Sequence, residues 1–259
     1  MSEYTVAVVF GLLIGSFLNV CIYRIPRNLS IVFPSSRCTA CNSEIRAWDN
    51  IPVISYLLLG GRCRNCKAKI SLRYPLVEAL NAFLYAAVVW RYGIGWNSVV
   101  YAVLCSALVV ITFIDLEFQI IPDRITLAGI PLGLVTGSFL LPDPFMRAEL
   151  LGYRASLIGA LGGFLLFFLV AELSYRLLKQ EGMGGGDIKM MAMVGALTGW
   201  KSVLLTTFLG SLAGSLIGVF LMILKGRGRK TKIPFGPFLA LGALITLFFG
   251  QEILLWYLH

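Results

Sequence analysis

The chain has 259 residues, of which 58% are hydrophobic and only 14% are charged, and its mean hydropathy is +0.83. This composition excludes a soluble globular protein, because too little polar surface is left to face water. The net charge of +9 could indicate nucleic-acid binding. However, the basic residues lie in short blocks between apolar runs, without the mixed aromatic and basic surface of a nucleic-acid-binding protein. The sequence therefore predicts a protein of the lipid bilayer with no nucleic-acid partner.

Eight apolar stretches are candidates for transmembrane helices, which need roughly 20 residues to cross the hydrocarbon core. They lie at residues 4–23, 76–93, 98–114, 125–141, 154–178, 188–200, 203–224 and 235–258. The first stretch lacks the charged n-region of a signal peptide, so we expect a retained helix. The sixth stretch is short, which leaves a count of seven open. We predict an all-α polytopic membrane protein with about eight transmembrane helices.

The positions of Lys and Arg test this topology, because cytoplasmic loops are enriched in these residues. If eight helices alternate across the bilayer, 18 of the 22 Lys and Arg residues fall on one side, with the largest groups at residues 24–74 and 225–232. We therefore place both termini outside the cytoplasm. The predicted organisation is a first transmembrane helix at 1–23, one cytoplasmic domain at 24–74 and a transmembrane core at 75–259.

Four of the six cysteines form two Cys-x-x-Cys pairs within that cytoplasmic domain. They are Cys38, Cys41, Cys63 and Cys66, with 21 residues between the pairs. This spacing is close to that with which two hairpin knuckles supply four thiolates to one tetrahedral zinc ion, and the reducing cytoplasm argues against disulfides. We predict a small zinc-ribbon-like loop domain whose zinc is structural, because no coordination position stays open. Four free or redox-active thiols are the alternative.

An aspartate lies at the cytoplasmic end of the third apolar stretch. Asp115 follows seventeen mostly apolar residues. A carboxylate at membrane depth is costly, so it usually faces the interior of a helix bundle or a watery cavity and indicates a function. The alternative is a helix cap at the membrane interface. We assign that role to Asp123, which follows Pro122 where the fourth helix should begin, and leave it open for Asp115.

A glycine-rich segment leads to a second aspartate. Residues 182–186 contain four glycines, and Asp187 follows directly. Glycine allows positive φ and close approach of another segment, so Asp187 could be brought to a partner. A nucleotide-binding loop is not indicated, because the Walker pattern is absent. A simple hinge with a capping Asp187 is the alternative.

The predicted topology puts Asp115 and Asp187 on the same side of the membrane, each near a helix end. Two carboxyl groups held close together cannot both ionise easily, so one keeps a proton while the other activates a water molecule. That division of labour is what peptide hydrolysis needs. The pair titrates as a unit, and the sequence leaves open which aspartate is the base.

Motifs along nearly the whole chain resemble those of the bifunctional type IV prepilin peptidases, which belong to the Gly-x-Gly-Asp intramembrane aspartic proteases. The matching segments are Gly15-Ser16-Phe17-Leu18-Asn19-Val20, Arg24-Ile25-Pro26, the two Cys-x-x-Cys pairs with Asn50-Ile51-Pro52 between them, Arg73-Tyr74-Pro75-Leu76-Val77-Glu78, Asp115 with Ile121-Pro122-Asp123, and Glu181-Gly182-Met183-Gly184-x-Gly186-Asp187. The resemblance implies an aspartic endopeptidase of the bacterial inner membrane with Asp115 and Asp187 as catalytic residues. Its substrates would be type IV prepilins or type II secretion pseudopilins, cut at the cytoplasmic face.

The resemblance also implies N-methylation of the new N-terminus with S-adenosylmethionine as methyl donor, an activity associated with the cysteine-containing loop. The sequence has no Rossmann-like glycine pattern for such a cofactor. The candidate residues are Glu78, Asn19 and Arg24, polar groups at the cytoplasmic boundary. An ion pair with Arg73 is the alternative for Glu78, and contact with lipid headgroups is the alternative for Arg24.

The sequence is compatible with two other functions. An ion-coupled or proton-relay transporter could use the same two aspartates, with the zinc loop as a regulatory module. A zinc-dependent methyltransferase without protease activity would use the cysteines and leave the aspartates without a role.

Overall fold

The computed structural model describes residues 3–179, 183–225 and 233–258. Its long helices are α1 (Glu3–Arg24), α3 (Arg73–Tyr92), α4 (Trp96–Phe118), α5 (Asp123–Phe139), α6 (Gly152–Leu178), α7 (Gly185–Lys225) and α8 (Gly236–Leu258). The shorter elements are α2 (Ile54–Leu58), two 3₁₀ turns (Ile25–Arg27 and Ala47–Asn50), β1 (Pro142–Asp143) and β2 (Met146–Leu150). Most of the predicted basic loop at 225–232, and residues Glu181 and Gly182 of the glycine-rich segment, lie outside the described residues.

Helices occupy all eight predicted stretches, so the prediction of an all-α polytopic membrane protein is confirmed. Within the described residues, five helical segments are long and apolar enough to cross a membrane, namely Glu3–Arg27, Trp96–Phe118, Gly152–Leu177, Gly185–Leu224 and Gly236–Leu258. Helices α3 and α5, with 20 and 17 residues, are not among these segments. The count of eight transmembrane helices therefore stays a prediction.

Helix α7 contains a break that fits two of the predicted spans. Its 41 residues would rise about 60 Å as one straight helix, roughly twice the thickness of a hydrocarbon core. Gly199 has φ 82° and ψ 173°, a conformation that only glycine adopts without strain. This residue divides α7 into helical halves at 185–198 and 200–225, close to the predicted stretches 188–200 and 203–224.

A small β-hairpin was not predicted from the sequence. Strands β1 and β2 pair antiparallel across a turn in which the Phe145 amide donates to Asp143 Oδ1 at 2.8 Å. The buried Phe145 ring lies beside Gly250 of α8, and Arg147 forms an ion pair of 2.6 Å with Glu252. The two strands have only two and five residues, so alternation of polar and apolar residues could not identify them.

The contacts divide the chain after Val110 into two compact units. In the first unit, glycines of α1 allow α3 to approach closely. A Cβ at Gly11 would lie 2.6 Å from Ala82 Cα, and one at Gly15 would lie 2.7 Å from Glu78 Cα. The Asn81 side-chain amide crosses the same interface and donates to the Gly11 carbonyl at 2.8 Å. Close backbone approach and buried polar contacts of this kind are typical of helix packing in membranes.

In the second unit, the first half of α7 is the central helix. The side chains from Met190 to Leu197 are almost all buried, and the neighbouring helices approach this segment at glycines. Gly159 of α6 meets Gly195, while Gly129 of α5 meets Met193. The second half of α7 packs on α8, where a Cβ at Gly242 would lie 2.6 Å from the Thr206 carbonyl oxygen. Large apolar side chains on the outer faces of these helices, such as Phe168 and Ile223, stay exposed, as expected for a surface in lipid.

Candidate active site

Asp115 lies in the last turn of α4, at its junction with α5. The helix ends at Phe118, and Gln119 takes the left-handed conformation with φ 56°, a common helix termination. The Gln119 amide donates to the Asp115 carbonyl at 2.9 Å. Asp115 is only 5% exposed, so its carboxyl group points into the protein. The helix continues past Asp115, which is therefore not a cap of the next helix.

The start of α8 supplies the hydrogen-bond partner of Asp115. The backbone amide of Gly236 donates to Asp115 Oδ2 at 3.0 Å. This contact joins residues 121 positions apart in the sequence. Gly236 was not predicted as a site residue, because no local sequence pattern connects it to Asp115.

Asp187 lies in the first turn of α7 and is 9% exposed. Its backbone amide donates to the Gly184 carbonyl at 3.1 Å. The Oδ1 atom of its carboxyl group is buried and has no hydrogen-bond partner within the described part of the chain. Asp115 is near enough for the two carboxyl groups to interact electrostatically. The structure thus brings the two predicted aspartates together, each from a helix end.

Ile121 explains how these segments come so close. A Cβ at Gly186 would lie 2.6 Å from Ile121 Cβ, and a Cβ at Gly236 would lie 3.2 Å from Ile121 Cδ1. The Ile121 side chain therefore contacts both the glycine that precedes Asp187 and the glycine that binds Asp115. Glycines at 186 and 236 leave the room that this apolar side chain and the two carboxyl groups need.

The interpretation of Asp123 as a helix cap is wrong. Asp123 is the first residue of α5, and its carboxylate forms an ion pair with Lys189 of α7, with both oxygens within 2.8 Å of the ammonium group. The cation is 66 positions away in the sequence, which is why a local rule assigned the carboxylate to the nearest amides. This solvent-accessible ion pair connects the beginnings of α5 and α7.

The four predicted cysteines also come together, in the first unit. Their sulfur atoms all lie within 4.8 Å of one another, and Cys38 Sγ lies 3.9 Å from Cys66 Sγ. Each pair occupies a tight hairpin of the same form. Arg37 and Glu44 form an isolated antiparallel β-bridge in one hairpin, and Arg62 and Lys69 form the same backbone pairing in the other.

The two hairpins share their backbone detail. The amides of Asn42 and Lys67 donate to the carbonyls of Cys38 and Cys63 at 2.9 and 3.1 Å, and both residues have φ of 59°. Four thiolates around a tetrahedral zinc, with Zn–S near 2.3 Å, are about 3.8 Å apart. The cluster therefore fits a Cys₄ zinc site.

Hydrogen bonds and an ion pair connect the residues around the cysteine cluster. The Ser43 hydroxyl, 2.9 Å from Cys41 Sγ, and the Ser43 amide lower the pKa of the Cys41 thiol to about 6, which favours the thiolate that binds metal. Arg64, within the second Cys-x-x-Cys, forms a bidentate pair with Asp49 and holds the pKa of that carboxyl below its ordinary value. This pair ties the second hairpin to the 3₁₀ turn between the hairpins.

The three candidate methyl-donor residues lie where α1, α3 and the cysteine loop meet. Glu78 is buried and accepts the Val53 amide at 2.8 Å. Asn19 donates to the Tyr74 carbonyl at 3.1 Å, while its buried Oδ1 atom lacks a partner among the residues that the structure describes. Arg24 donates to the carbonyls of Ser30 and Pro34, so its guanidinium group fixes the loop that follows α1.

Val53 marks this junction as strained. It has φ 60° and ψ −50°, which is an outlier for a β-branched residue. Such conformations persist only where surrounding contacts hold them and often occur at functional sites. Here the Val53 amide donates to Glu78, and the Val53 carbonyl accepts the Leu57 amide at 3.1 Å.

These features define a multi-pass helical membrane protein with two buried aspartates brought together from separate helices and a tetracysteine cluster. The family sequence models agree with this class. The model of the bacterial peptidase A24 N-terminal domain matches residues 9–92, and that of the type IV leader peptidase family matches residues 102–219. The chain belongs to the type IV leader peptidase family and is an enzyme.

Curated relatives match over nearly the full length. The chain is 39% identical to a prepilin leader peptidase/N-methyltransferase of Pseudomonas putida, with 96% of this chain and 91% of the relative aligned. Identity is 38% to the protein of that name in Pseudomonas aeruginosa, covering 97% and 92%, and 36% to that of Neisseria gonorrhoeae, covering 92% and 88%. Among solved structures, none matches the chain.

Proposed function

We propose that this enzyme cleaves the leader peptides of type IV prepilins or type II secretion pseudopilins and then methylates the new N-terminus, with Asp115 and Asp187 as its proteolytic pair. One observation carries the assignment of the pair. Both carboxyl groups are buried, they interact with each other, and they come from helix ends that glycines allow to approach.

Peptide hydrolysis by such a pair needs one carboxylate and one carboxylic acid. The carboxylate takes a proton from water as the water oxygen bonds to the peptide carbonyl carbon, and the acid protonates the carbonyl oxygen. The resulting diol then collapses. The C–N bond breaks, the amine leaves with the proton taken from water, and a diol hydroxyl returns a proton to the other aspartate. Both aspartates regain their starting states.

We place the aspartates and the cysteine loop on the cytoplasmic side of the bacterial inner membrane. The asymmetry of Lys and Arg between alternate loops supports this orientation. A cytoplasmic active site would meet the basic leader of the substrate before the mature protein leaves the membrane.

The cysteines Cys38, Cys41, Cys63 and Cys66 would hold a structural zinc ion, which would stabilise a loop too small to fold on its own core. The matching backbone of the two hairpins supports this role. The predicted domain at 24–74 would thus be a folded module between the first helix and the catalytic core at 75–259.

S-adenosylmethionine, when bound, supplies the methyl group. Asn19 and Glu78 are the residues best suited to hold its positively charged sulfonium group, because the buried Asn19 oxygen lacks a partner among the described residues and Glu78 has a buried carboxyl group. Arg24 would contribute indirectly, by holding the loop that follows α1 through its hydrogen bonds to Ser30 and Pro34. The transporter alternative has no support from the family or the relatives, which are peptidases and methyltransferases by name.

Replacing Asp115 or Asp187 by Asn tests the proteolytic pair. Each variant keeps the size of the side chain but cannot exchange the proton, so we expect at least about a 10³-fold loss in the rate of cleavage of a synthetic prepilin peptide. Methylation of a peptide that already has the mature N-terminus should persist and serves as the folding control. Mass spectrometry reports both products, and cleavage near the wild-type rate in either variant would refute the two-aspartate mechanism.

A further inference from the structure

Gly236 affects Asp115 in two ways. It is the first residue of α8, and its amide donates to Asp115 Oδ2 at 3.0 Å. A Cβ at this position would lie 2.6 Å from the same oxygen, which is closer than non-bonded atoms approach. A side chain at 236 would therefore displace the carboxyl group that the amide binds.

The position of this contact favours a negative charge on Asp115. The first amides of a helix have no acceptor within the helix and carry the positive end of the helix dipole. A hydrogen bond from such an amide is stronger to a carboxylate than to a neutral carboxyl group. Asp115 thus has a fixed donor for its ionised form.

Asp187 has a different environment. Its Oδ1 atom is buried without a partner among the described residues, and its carboxyl group interacts electrostatically with that of Asp115. A second negative charge beside the first is unfavourable. Asp187 is therefore the member of the pair that keeps the proton.

We propose that Gly236 is a positioning residue that holds Asp115 as the carboxylate that activates water, which leaves Asp187 as the acid that protonates the peptide carbonyl. This assignment rests on the proposed proteolytic function and gives each aspartate its place in it. Asp115 takes the proton from water and later gives it to the leaving amine. Asp187 gives its proton to the carbonyl oxygen and recovers one when the diol collapses.

Two variants of the full-length protein separate the two properties of Gly236. Gly236→Ala introduces the Cβ, whereas replacement of Gly236 by glycolic acid, through nonsense suppression, exchanges the N–H for an ester oxygen without adding a Cβ. We expect each to lower kcat for prepilin cleavage on the order of 10²-fold, as small misplacements of catalytic groups do, with KM changed less than about twofold. The acidic limb of the pH profile should move to higher pH, because the ionised form of Asp115 has lost its donor.

Gly162→Ala is the matched control, because a Cβ at this position of α6 would have no atom within 4 Å in the part of the chain that the structure describes. Methylation of a mature N-terminal peptide reports folding in all variants. Wild-type kcat and pH profile in both Gly236 variants would overturn the proposal, while inactive Asp115→Asn and Asp187→Asn proteins would show that the proteolytic pair itself still holds. Loss of methylation in both Gly236 variants would also overturn it, since Gly236 would then be needed for folding. Cleavage by the aspartate variants would instead refute the proposed function.

Discussion

At the scale of single residues, the site depends on glycines, which have no side chain, as much as on the two aspartates. Asp115 and Asp187 supply the carboxyl groups, while Gly186 and Gly236 leave space around Ile121 and Asp115. Glycines in a helical turn usually lower stability. At these two positions the close approach of another segment gives a physical reason for them.

Gly186→Ala should lower prepilin cleavage by at least about tenfold. The new Cβ would lie 2.6 Å from Ile121 Cβ, so the first turn of α7 must shift and carry Asp187 with it. Gly185→Ala is the adjacent control, because a Cβ at 185 would have no atom of the described residues within 4 Å, and its activity should stay within about twofold of wild type. Steady-state cleavage rates test the difference. Equal activity of the two variants would show that contact with Ile121 does not set the position of Asp187.

At the scale of elements, close packing at glycines determines where α7 lies. Gly159 of α6 and Gly195 of α7 face each other so closely that a Cβ at either would overlap the backbone of the other. Gly163 similarly faces the Met191 carbonyl. In lipid, such van der Waals contact is a main source of helix association, because apolar burial alone does not distinguish a helix from the acyl chains. These contacts keep the helix that begins with the Asp187 turn in a fixed place.

Gly159→Ala should destabilise the fold by about 1–3 kcal/mol, the usual effect of overpacking a tight interface. Gly162→Ala, three residues along the same helix, should have little effect because its Cβ would contact none of the described residues. Thermal unfolding of the purified proteins in detergent measures both. A melting temperature that drops equally in the two variants would mean that helix propensity or detergent contact, rather than the α6–α7 interface, determines the change.

At the scale of the whole molecule, the two proposed activities depend on different groups. The aspartate pair lies in the unit after Val110, and the cysteine cluster lies in the unit before it. The aspartate pair and the cysteine cluster each have hydrogen bonds within their own unit. The two activities should therefore be separable by substitution.

Cys38→Ser should lower the zinc content measured by elemental analysis and should abolish methylation of a mature peptide, because one of four thiolate ligands is lost. Prepilin cleavage should persist at a measurable rate. Thr39→Ala is the matched control, since Thr39 is exposed between Cys38 and Cys41 and should keep both the metal and methylation. Full methylation by a Cys38→Ser protein without zinc would exclude a structural role of the metal in that activity.

Much of the fold follows from local properties of the sequence. Long apolar runs predict the helices, because a lipid-exposed backbone must satisfy its hydrogen bonds internally. The paired Cys-x-x-Cys spacing predicts the thiol cluster. Asp115 and Asp187 are recognisable as candidates because a carboxyl group at membrane depth costs free energy and usually indicates a function.

The features that were predicted wrongly or not at all involve contacts between residues that are distant in the sequence. Asp123 pairs with Lys189 rather than with its own helix, and Asp115 binds an amide of α8. The β-hairpin is held by contacts of Phe145 and Arg147 with α8. No local pattern contains this information, because each contact depends on how separate helices pack.

The sequence by itself determined that the chain is a helical membrane protein, that four cysteines form a metal-binding pattern and that two aspartates are candidates for one catalytic pair. Each conclusion rests on spacing, apolar length or the cost of burying charge, which are properties of local segments. Only the tertiary structure decided that Gly236 binds Asp115, that Ile121 lies against both site glycines and that the Oδ1 atom of Asp187 lacks a partner among the described residues. These facts depend on distances between helices, and such distances are set by side-chain volume and backbone approach across the whole unit.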